Sequence, residues 1–461
     1  MTGGSYSDLL FLKQRCTRHR AWCILRGTRG SIRRRPVLNA IRGITLFFMS
    51  CRILLRLGGL IVGCKNNYQS KLMANSTLSD AKTAKQDEFY TQFYDIESEM
   101  EAYLDYNPDV FRGKTVLLPC DDPEWSNFTK YFAQNFESLG LKKLISTSYA
   151  LESKSYKAGF QLSLFETQSP KFDKDKTKTH GKFFVLTDDT TGDGIVNIDD
   201  LQWDYLDGDG DFRSEEVKKL RDEADIIITN PPFSLFREFL AWIVEAKKQF
   251  IIIGNMNAIT YKEVFPLIKD NRMWIGKGFS GGNAFFRSPE SRDYANGVYN
   301  KDSGLIKFRN CCWFTNIDHG HRHFPLKLMT MADNIKYSRH KEIKSVGYKR
   351  YDNYDAIEVP FTDAIPKDCN DMMGVPISFL AKYCPEQFEI VGITKTWFGM
   401  ANKTYPKQIQ VNKNGTKAVV TKLNDGPVIK LDKPLDGDVY YMVDGGCYIQ
   451  TYARILIRKK Q

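Results

Sequence analysis

The sequence predicts an α/β protein in which a mostly parallel, doubly wound sheet is followed by a smaller mixed α/β domain. Three observations carry that reading. Between Met73 and Asn255, short apolar runs alternate with amphipathic patterns, the order produced when parallel strands are joined by helical crossovers. The run "DIIITNPPFSLF", residues 225–236, drives a β-favouring segment into two prolines. Proline has no amide hydrogen for a sheet ladder, so the strand must end there, at the carboxyl edge where open α/β sheets bind ligands. The third observation is an uneven distribution of charge.

The 461 residues carry a net charge of +11. Residues 1–72 hold 14 basic residues against the single acid Asp8, or +13. Residues 73–318 hold 30 basic and 39 acidic residues, and residues 319–461 hold 22 and 15, giving −9 and +7. The split predicts three parts: a basic extension over 1–72, a catalytic domain over 73–318, and a domain over 319–461 that faces a polyanion. A composition 42% hydrophobic and 26% charged excludes a disordered or fibrous chain. The ten cysteines form no C-x-x-C pair, which reads as reduced thiols in a cytoplasmic protein.

The first 72 residues contain 11 Arg and 3 Lys, whereas the remainder contains 13 Arg and 39 Lys. Compositional rules that change so sharply suggest that the functional chain starts at Met73. The apolar stretch "GITLFFMSCRILLRLGGLIVGC" is interrupted by Arg52 and Arg56, which leaves runs short of the roughly 20 residues needed to cross a bilayer. It also lacks a signal-peptide cleavage site. A basic helix lying on a membrane surface is the alternative; the expectation is no membrane partner.

After Met73 the elements follow in order. Phe89, Phe93, Ile96, Met100 and Leu104 recur at helical spacing. "GKTVLLPCDDP" reads as a strand over 115–118 that ends at Pro119 and the acidic pair Asp121–Asp122. A helix around "FTKYFAQNFESLG", closed by Gly140, leads to the strand "KKLISTSY". An irregular polar insertion comes next, then "WDYLDGDGDF", a helix at "SEEVKKLRDEA", the strand at 225–229, the helix "LFREFLAWIVEAKK" and the strand "FIIIGN". Within the insertion, Asp189, Asp193, Gly194, Asn197 and Asp200 fall at positions 1, 5, 6, 9 and 12 of a calcium-type loop, but Thr191 occupies position 3 and the final Glu is missing. A solvated loop fits better. The "HGHRH" run has no second ligand group at matching spacing, so no metal is expected there.

Asn-Pro-Pro-Phe has a chemical reading. The exocyclic amine of adenine is a poor nucleophile because its lone pair is delocalised into the ring. A site that accepts hydrogen bonds from both amine hydrogens favours a tetrahedral nitrogen whose lone pair points at a methyl donor. The Asn230 side-chain carbonyl and the Pro231 backbone carbonyl are suited to that task. The Pro231–Pro232 unit fixes their spacing, and Phe233 offers a face for a planar base. Alignment and placed dipoles then supply the catalysis, with no metal or nucleophilic side chain.

At these residues the sequence resembles the AdoMet-dependent (S-adenosylmethionine-dependent) amino-methyltransferases. More narrowly, it resembles the adenine-specific DNA methyltransferase family typified by the EcoRI modification enzyme. The ordered set "DEFYTQ", "CDDPEWSNF", "LGLKKLI", "GDGDFRS", "NPPFSLFREF", "GNMNAITYKE", "WFTNIDH", "YDNYDAIEV", "MGVPISFL" and "PEQFEIVGI" carries the resemblance from about Lys85 to near the C-terminus. It implies a Rossmann-like methyltransferase sheet with a C-terminal target-recognition domain, AdoMet as cofactor, double-stranded DNA as substrate and N6-methyladenine as product. Asn230, Pro231, Pro232 and Phe233 would form the target-base site. Phe89, Tyr90 and Thr91 would hold the methionine part of the cofactor, although Phe89 fits a helix core equally well. Pro119, Asp121 and Asp122 would replace the usual glycine-rich cofactor loop, since no F-x-G-x-G is present. Asp211 and Phe212 would flank the cofactor adenine, with a helix cap beside Ser214 as the alternative for Asp211. The resemblance also allows a restriction endonuclease acting separately on the same site, and a monomeric enzyme.

Residues 321–350 hold eight Lys or Arg against two acids, and Arg322, Lys327, Arg339 and Lys341 are the expected phosphate contacts. The stretch 394–422 interleaves aromatics and lysines around a turn at Asn414–Gly415, as a β-rich recognition module would. Motifs of this kind serve any planar amine or amide. Methylation of RNA or a protein glutamine therefore stands as the second reading, and a catalytically silent DNA-binding protein as the third.

Overall fold

The structure is a computed structural model that describes residues 90–121, 126–150, 171–279, 282–287, 298–300 and 302–460. The basic extension 1–72, Phe89 and Asp122 lie outside the described residues. A helix, Phe93–Tyr106 (α1), leads into the central sheet. Its strands are Thr115–Leu118 (β1), Lys143–Ser148 (β2), Lys182–Leu186 (β3), Gln202–Tyr205 (β4), Ile226–Thr229 (β5), Gln249–Asn255 (β6), Trp274–Ile275 (β7) and Cys311–Thr315 (β8). They lie side by side in the order β4-β3-β2-β1-β5-β6-β8-β7. The four central strands are mutually parallel. β4 and β7 are each reached through two antiparallel steps, so only β3 and β8 run against the rest.

β1 and β5 alternate their side chains between two cores. Val116, Leu118, Ile226 and Ile228 join Ile96 and Met100 of α1 and Phe128 and Phe132 of a second helix, Asn127–Gln134 (α2). Leu117 and Ile227 join Val217 of Glu215–Glu223 (α3) and Phe239 and Ile243 of Phe236–Glu245 (α4) on the opposite face. Continuous burial of β5 on both faces is what a covered parallel sheet demands.

Two expectations change. The helix predicted through Phe89 begins only at Phe93, because Tyr90–Thr91 pairs antiparallel with Asn283–Arg287 and its backbone serves a strand ladder instead. The insertion after β2 is not irregular throughout. It supplies β3, and Lys182, Phe184 and Leu186 of that strand turn inward at period two. Asp189 accepts from the amides of Gly192 and Gly194, and Asp200 from those of Thr190 and Thr191, so the acids of the calcium-like loop tie the loop to itself.

The C-terminal half contains two further sheets. One places Ile357–Glu358, Met373–Pro376, Arg454–Lys459 and Phe388–Ile393 side by side. The other is antiparallel and runs 417–420, 408–411, 440–443, 446–450, 428–431. The turn between 408–411 and 417–420 uses Gly415 at φ +77°, a left-handed conformation that glycine tolerates. Val375, Phe379, Ile390 and Ile455 share one hydrophobic cluster with Leu117 and Ile227. A salt bridge is buried in the first of these sheets. The Arg454 guanidinium donates to Glu358 at 2.6 Å, and the Tyr351 hydroxyl donates to the same carboxylate.

Glu99 of α1 is fully buried. It accepts from the backbone amides of Lys277 and Gly278 at 3.0 and 2.9 Å and from the Tyr103 hydroxyl at 2.9 Å. Burial pushes its carboxyl up to about 7, against those hydrogen bonds. The folded protein therefore holds this proton more tightly than the unfolded chain does. The resulting stability is complete below about 4.5 and is lost as pH rises towards about 7. Urea denaturation at pH 5 and pH 8 should differ by about 2.5 kcal/mol from this group, and Glu99→Gln should remove that component of the pH dependence.

Candidate active site at the β1–β5 switch point

Chain order reverses across the β1–β5 pair: β2 lies on one side of β1, and β5 on the other. The carboxyl ends of β1 and β5 thus form the topological switch point, where ligands bind in sheets of this kind. Pro119, Cys120 and Asp121 leave β1 there, and Asn230 to Phe233 leave β5.

The turn after β1 is held by hydroxyls where related sheets use glycines. Thr147 donates to the Pro119 carbonyl at 2.9 Å, Ser146 donates to the Asp121 carbonyl, and the Asp121 amide donates to the Thr147 carbonyl at 3.1 Å. None of residues 119–121 has a positive φ, so the turn does not require glycine. Asp121 is only 5% exposed. Its carboxylate accepts from the hydroxyls of Ser126 and Thr229, both at 2.6 Å. Ser126 caps α2 by accepting from the Phe128 amide.

Asn230 and Pro232 are half-buried and Pro231 is buried. Phe233 opens a short 3-10 turn that runs into α4. Its ring meets the edges of Phe286 and Phe308 at centroid distances of 6.2 and 5.7 Å. Both phenylalanines belong to a small sheet made of Tyr90–Thr91, Asn283–Arg287, Leu305–Arg309 and Tyr299–Asn300. That sheet therefore carries Tyr90 and Thr91 and contacts the tetrapeptide. Thr91 lies opposite Phe286, and its carbonyl accepts from Asn127 at 2.7 Å. The Thr91 hydroxyl is buried with no hydrogen-bond partner among the described residues.

Asp211 sits beyond β4. Gly210, at φ +84°, passes so close to the Ser148 carbonyl that a side chain there would collide with it. Asp211 accepts from Arg213 at 2.6 Å and from the Tyr149 hydroxyl at 2.5 Å. Partial burial raises its carboxyl, but the Arg213 guanidinium and the Tyr149 hydroxyl outweigh this and hold it well below the usual carboxylate range. Ser214, not Asp211, supplies the side-chain cap of α3. Phe212 is buried and packs edge-on against Phe239 and Trp242.

The structure thus brings Tyr90, Thr91, Pro119, Asp121 and the Asn230–Phe233 tetrapeptide into one connected region. Ser126, Asn127, Thr229, Phe286 and Phe308 are the members that sequence reasoning missed. Hydroxyls at strand ends are common, and the two phenylalanines lie more than fifty residues from Phe233.

The chain matches the family model described as adenine-specific methyltransferase EcoRI over residues 77–460. The chain belongs to this family. It is 43% identical to the type II methyltransferase M.EcoRI of Escherichia coli over 324 residues, covering 70% of this chain and 90% of that protein. It is 33% identical to the type II methyltransferase M.MpnI of Mycoplasma pneumoniae over 319 residues, covering 68% and 83%. No solved structure matches. As a family member the chain is an adenine-specific DNA methyltransferase, and the tetrapeptide at the switch point is its candidate target-base site.

In the basic half, one expected phosphate contact is corrected. Arg322 is buried, with its guanidinium 3.8 Å from the Trp274 ring centroid and donating to Asn271. It therefore packs the start of the 319–461 segment against residues of the 73–318 segment and does not face solvent. Lys327, Arg339 and Lys341 are exposed, although Arg339 also pairs with Asp363 at 2.8 Å. An open pocket of about 350 Å³ lies far along the chain from the switch-point residues, lined in part by Lys349, Arg350 and Lys430.

Proposed function

We propose that this protein transfers a methyl group from AdoMet to the N6 amine of a flipped-out adenine in double-stranded DNA at a fixed recognition sequence. The observation that carries the reading is the placement of Asn-Pro-Pro-Phe at the switch point, joined to the turn after β1 through Asp121. The buried Thr91 hydroxyl beside that turn fits a polar ligand such as AdoMet. Residues that would hold AdoMet are Tyr90, Thr91, Pro119 and Asp211, with Phe89 and Asp122 completing the set and Phe212 and Asp121 supporting it from the core side. AdoMet supplies an electrophilic methyl group when bound. Asn230 and Pro231 orient the amine through its two hydrogens, Pro232 stiffens the turn, and Phe233 stacks the extruded base. A Rossmann-like methyltransferase sheet is the fold reading that goes with this.

Flipping a base costs a few kcal/mol, which contacts elsewhere on the duplex must offset. We assign those contacts to residues 319–461 and the methyl-transfer work to residues 73–318. The same reading places a monomer in the cytoplasm, with a separate endonuclease as the companion activity. Neutralising Lys327, Arg339 and Lys341 together should flatten the dependence of log Kd on log salt by about two to three, at a slope near 0.9 per phosphate contact, while AdoMet affinity holds. An unchanged slope would move the phosphate contacts elsewhere.

The decisive experiment is sequencing of unmodified DNA after incubation with the protein and AdoMet. N6-methyladenine at one recurring sequence is expected. Methyl transfer only to RNA or to a protein glutamine would favour the second reading, and no transfer at all would favour the silent one.

A further inference from the structure

We infer that Asp121 is a positioning residue that fixes both ends of the target-base tetrapeptide from one buried carboxylate. Two paths leave it. The first is direct: Thr229, the last residue of β5 and the neighbour of Asn230, donates its hydroxyl to one carboxylate oxygen at 2.6 Å. The second passes through the other oxygen, which accepts from Ser126 at 2.6 Å. Ser126 caps α2, whose first residue Asn127 donates its side-chain amide to the Thr91 carbonyl. Thr91 pairs with Phe286, and Phe286 meets the ring of Phe233. The Asn230 end and the Phe233 end are thereby tied to the same group.

Two hydroxyl hydrogen bonds of 2.6 Å to one carboxyl group are short and directional, and a side chain 5% exposed has little freedom to shift. A strand end held in this way keeps the Asn230 carbonyl in register with the β1 turn, and errors of about 1 Å in such alignment cost on the order of a hundredfold in rate. The Thr229 arm reaches only the target-base tetrapeptide, so its contribution should show in the rate of transfer and not in cofactor affinity, whereas the Ser126 arm also reaches Thr91 of the proposed cofactor site. This rests on the target-base role proposed for Asn230.

Thr229→Val keeps the β-branched shape and removes the donor; Thr229→Ser keeps the donor. Single-turnover methyl transfer, AdoMet Kd and thermal midpoint would be measured for both, for Asn230→Ala and for the Thr229→Val/Asn230→Ala double variant. T229V should transfer at least tenfold more slowly with AdoMet Kd within twofold, T229S should recover most of the rate, and the double variant should be no slower than N230A alone. A T229V protein with wild-type rate, a T229V loss explained by weaker AdoMet binding, or strictly multiplicative losses in the double variant would overturn the inference. An active N230A protein would instead defeat the target-base reading itself.

Discussion

Asn230→Ala is expected to lower the single-turnover rate of methyl transfer by a factor on the order of a hundred to a thousand, with AdoMet affinity nearly unchanged. Asn230 follows β5, whose four residues are buried in the sheet, so its backbone position is set by neighbours that the substitution leaves in place. On the proposed function, removing the side-chain carbonyl takes away one of two acceptors for the amine hydrogens. The amine then stays closer to planar, with its lone pair in the ring. Loss of one placed dipole of this kind costs about 2.7–4 kcal/mol in a dry site. Because the interaction strengthens as the nitrogen becomes tetrahedral, the loss should fall on the rate and not on KM for DNA. Single-turnover kinetics at saturating DNA and AdoMet measure it directly, and a rate within threefold of the parent would remove Asn230 from the chemistry.

Arg454→Leu should cost about 3–5 kcal/mol of stability, the largest structural effect expected of a single change here. Glu358 is 7% exposed and Arg454 9%, and their side chains meet at 2.6 Å across the intervening strand Met373–Pro376 of the C-terminal sheet. Removing the guanidinium leaves a carboxylate buried with the Tyr351 hydroxyl but without its cation. Glu358→Leu combined with Arg454→Leu should recover much of the loss, because the desolvation penalty disappears along with the pair. Chemical denaturation of the two proteins decides this: equal destabilisation in both would mean that packing, not the buried charge, sets the cost. DNA binding should fall with the single variant, since the sheet is part of the half assigned to DNA.

The strand-end chemistry was legible because it is local. Proline cannot donate to a ladder, so Pro231 and Pro232 had to mark the end of β5, and Gly140 at φ +63° stops the helix there as its position implied, although the single helix expected before it breaks at Asn135 into Asn127–Gln134 and Phe136–Leu139. The charge split located the excess of basic residues in 319–461 but could not tell a solvent-facing arginine from a buried one. Arg322 stacks on Trp274, 48 residues earlier in the chain. β3 was missed because a run such as Lys182–Leu186 shows its period of two only when one knows which residues face inward.

By itself the sequence determined the alternation of β1, β2, β5 and β6 with helices, the carboxyl-edge placement of Asn-Pro-Pro-Phe and the family resemblance. Each follows from constraints acting within a few residues, namely missing amide donors, side-chain period and turn chemistry. Only the tertiary structure decided that Thr229 and Ser126 share the Asp121 carboxylate, that Thr91 lies across from Phe286, and that Phe233 rests against Phe286 and Phe308. Those contacts join residues separated by as many as 195 positions. Hydrogen bonds and ring contacts act over a few ångströms in space whatever the separation in sequence, so they exist only once the sheet has set its strand order.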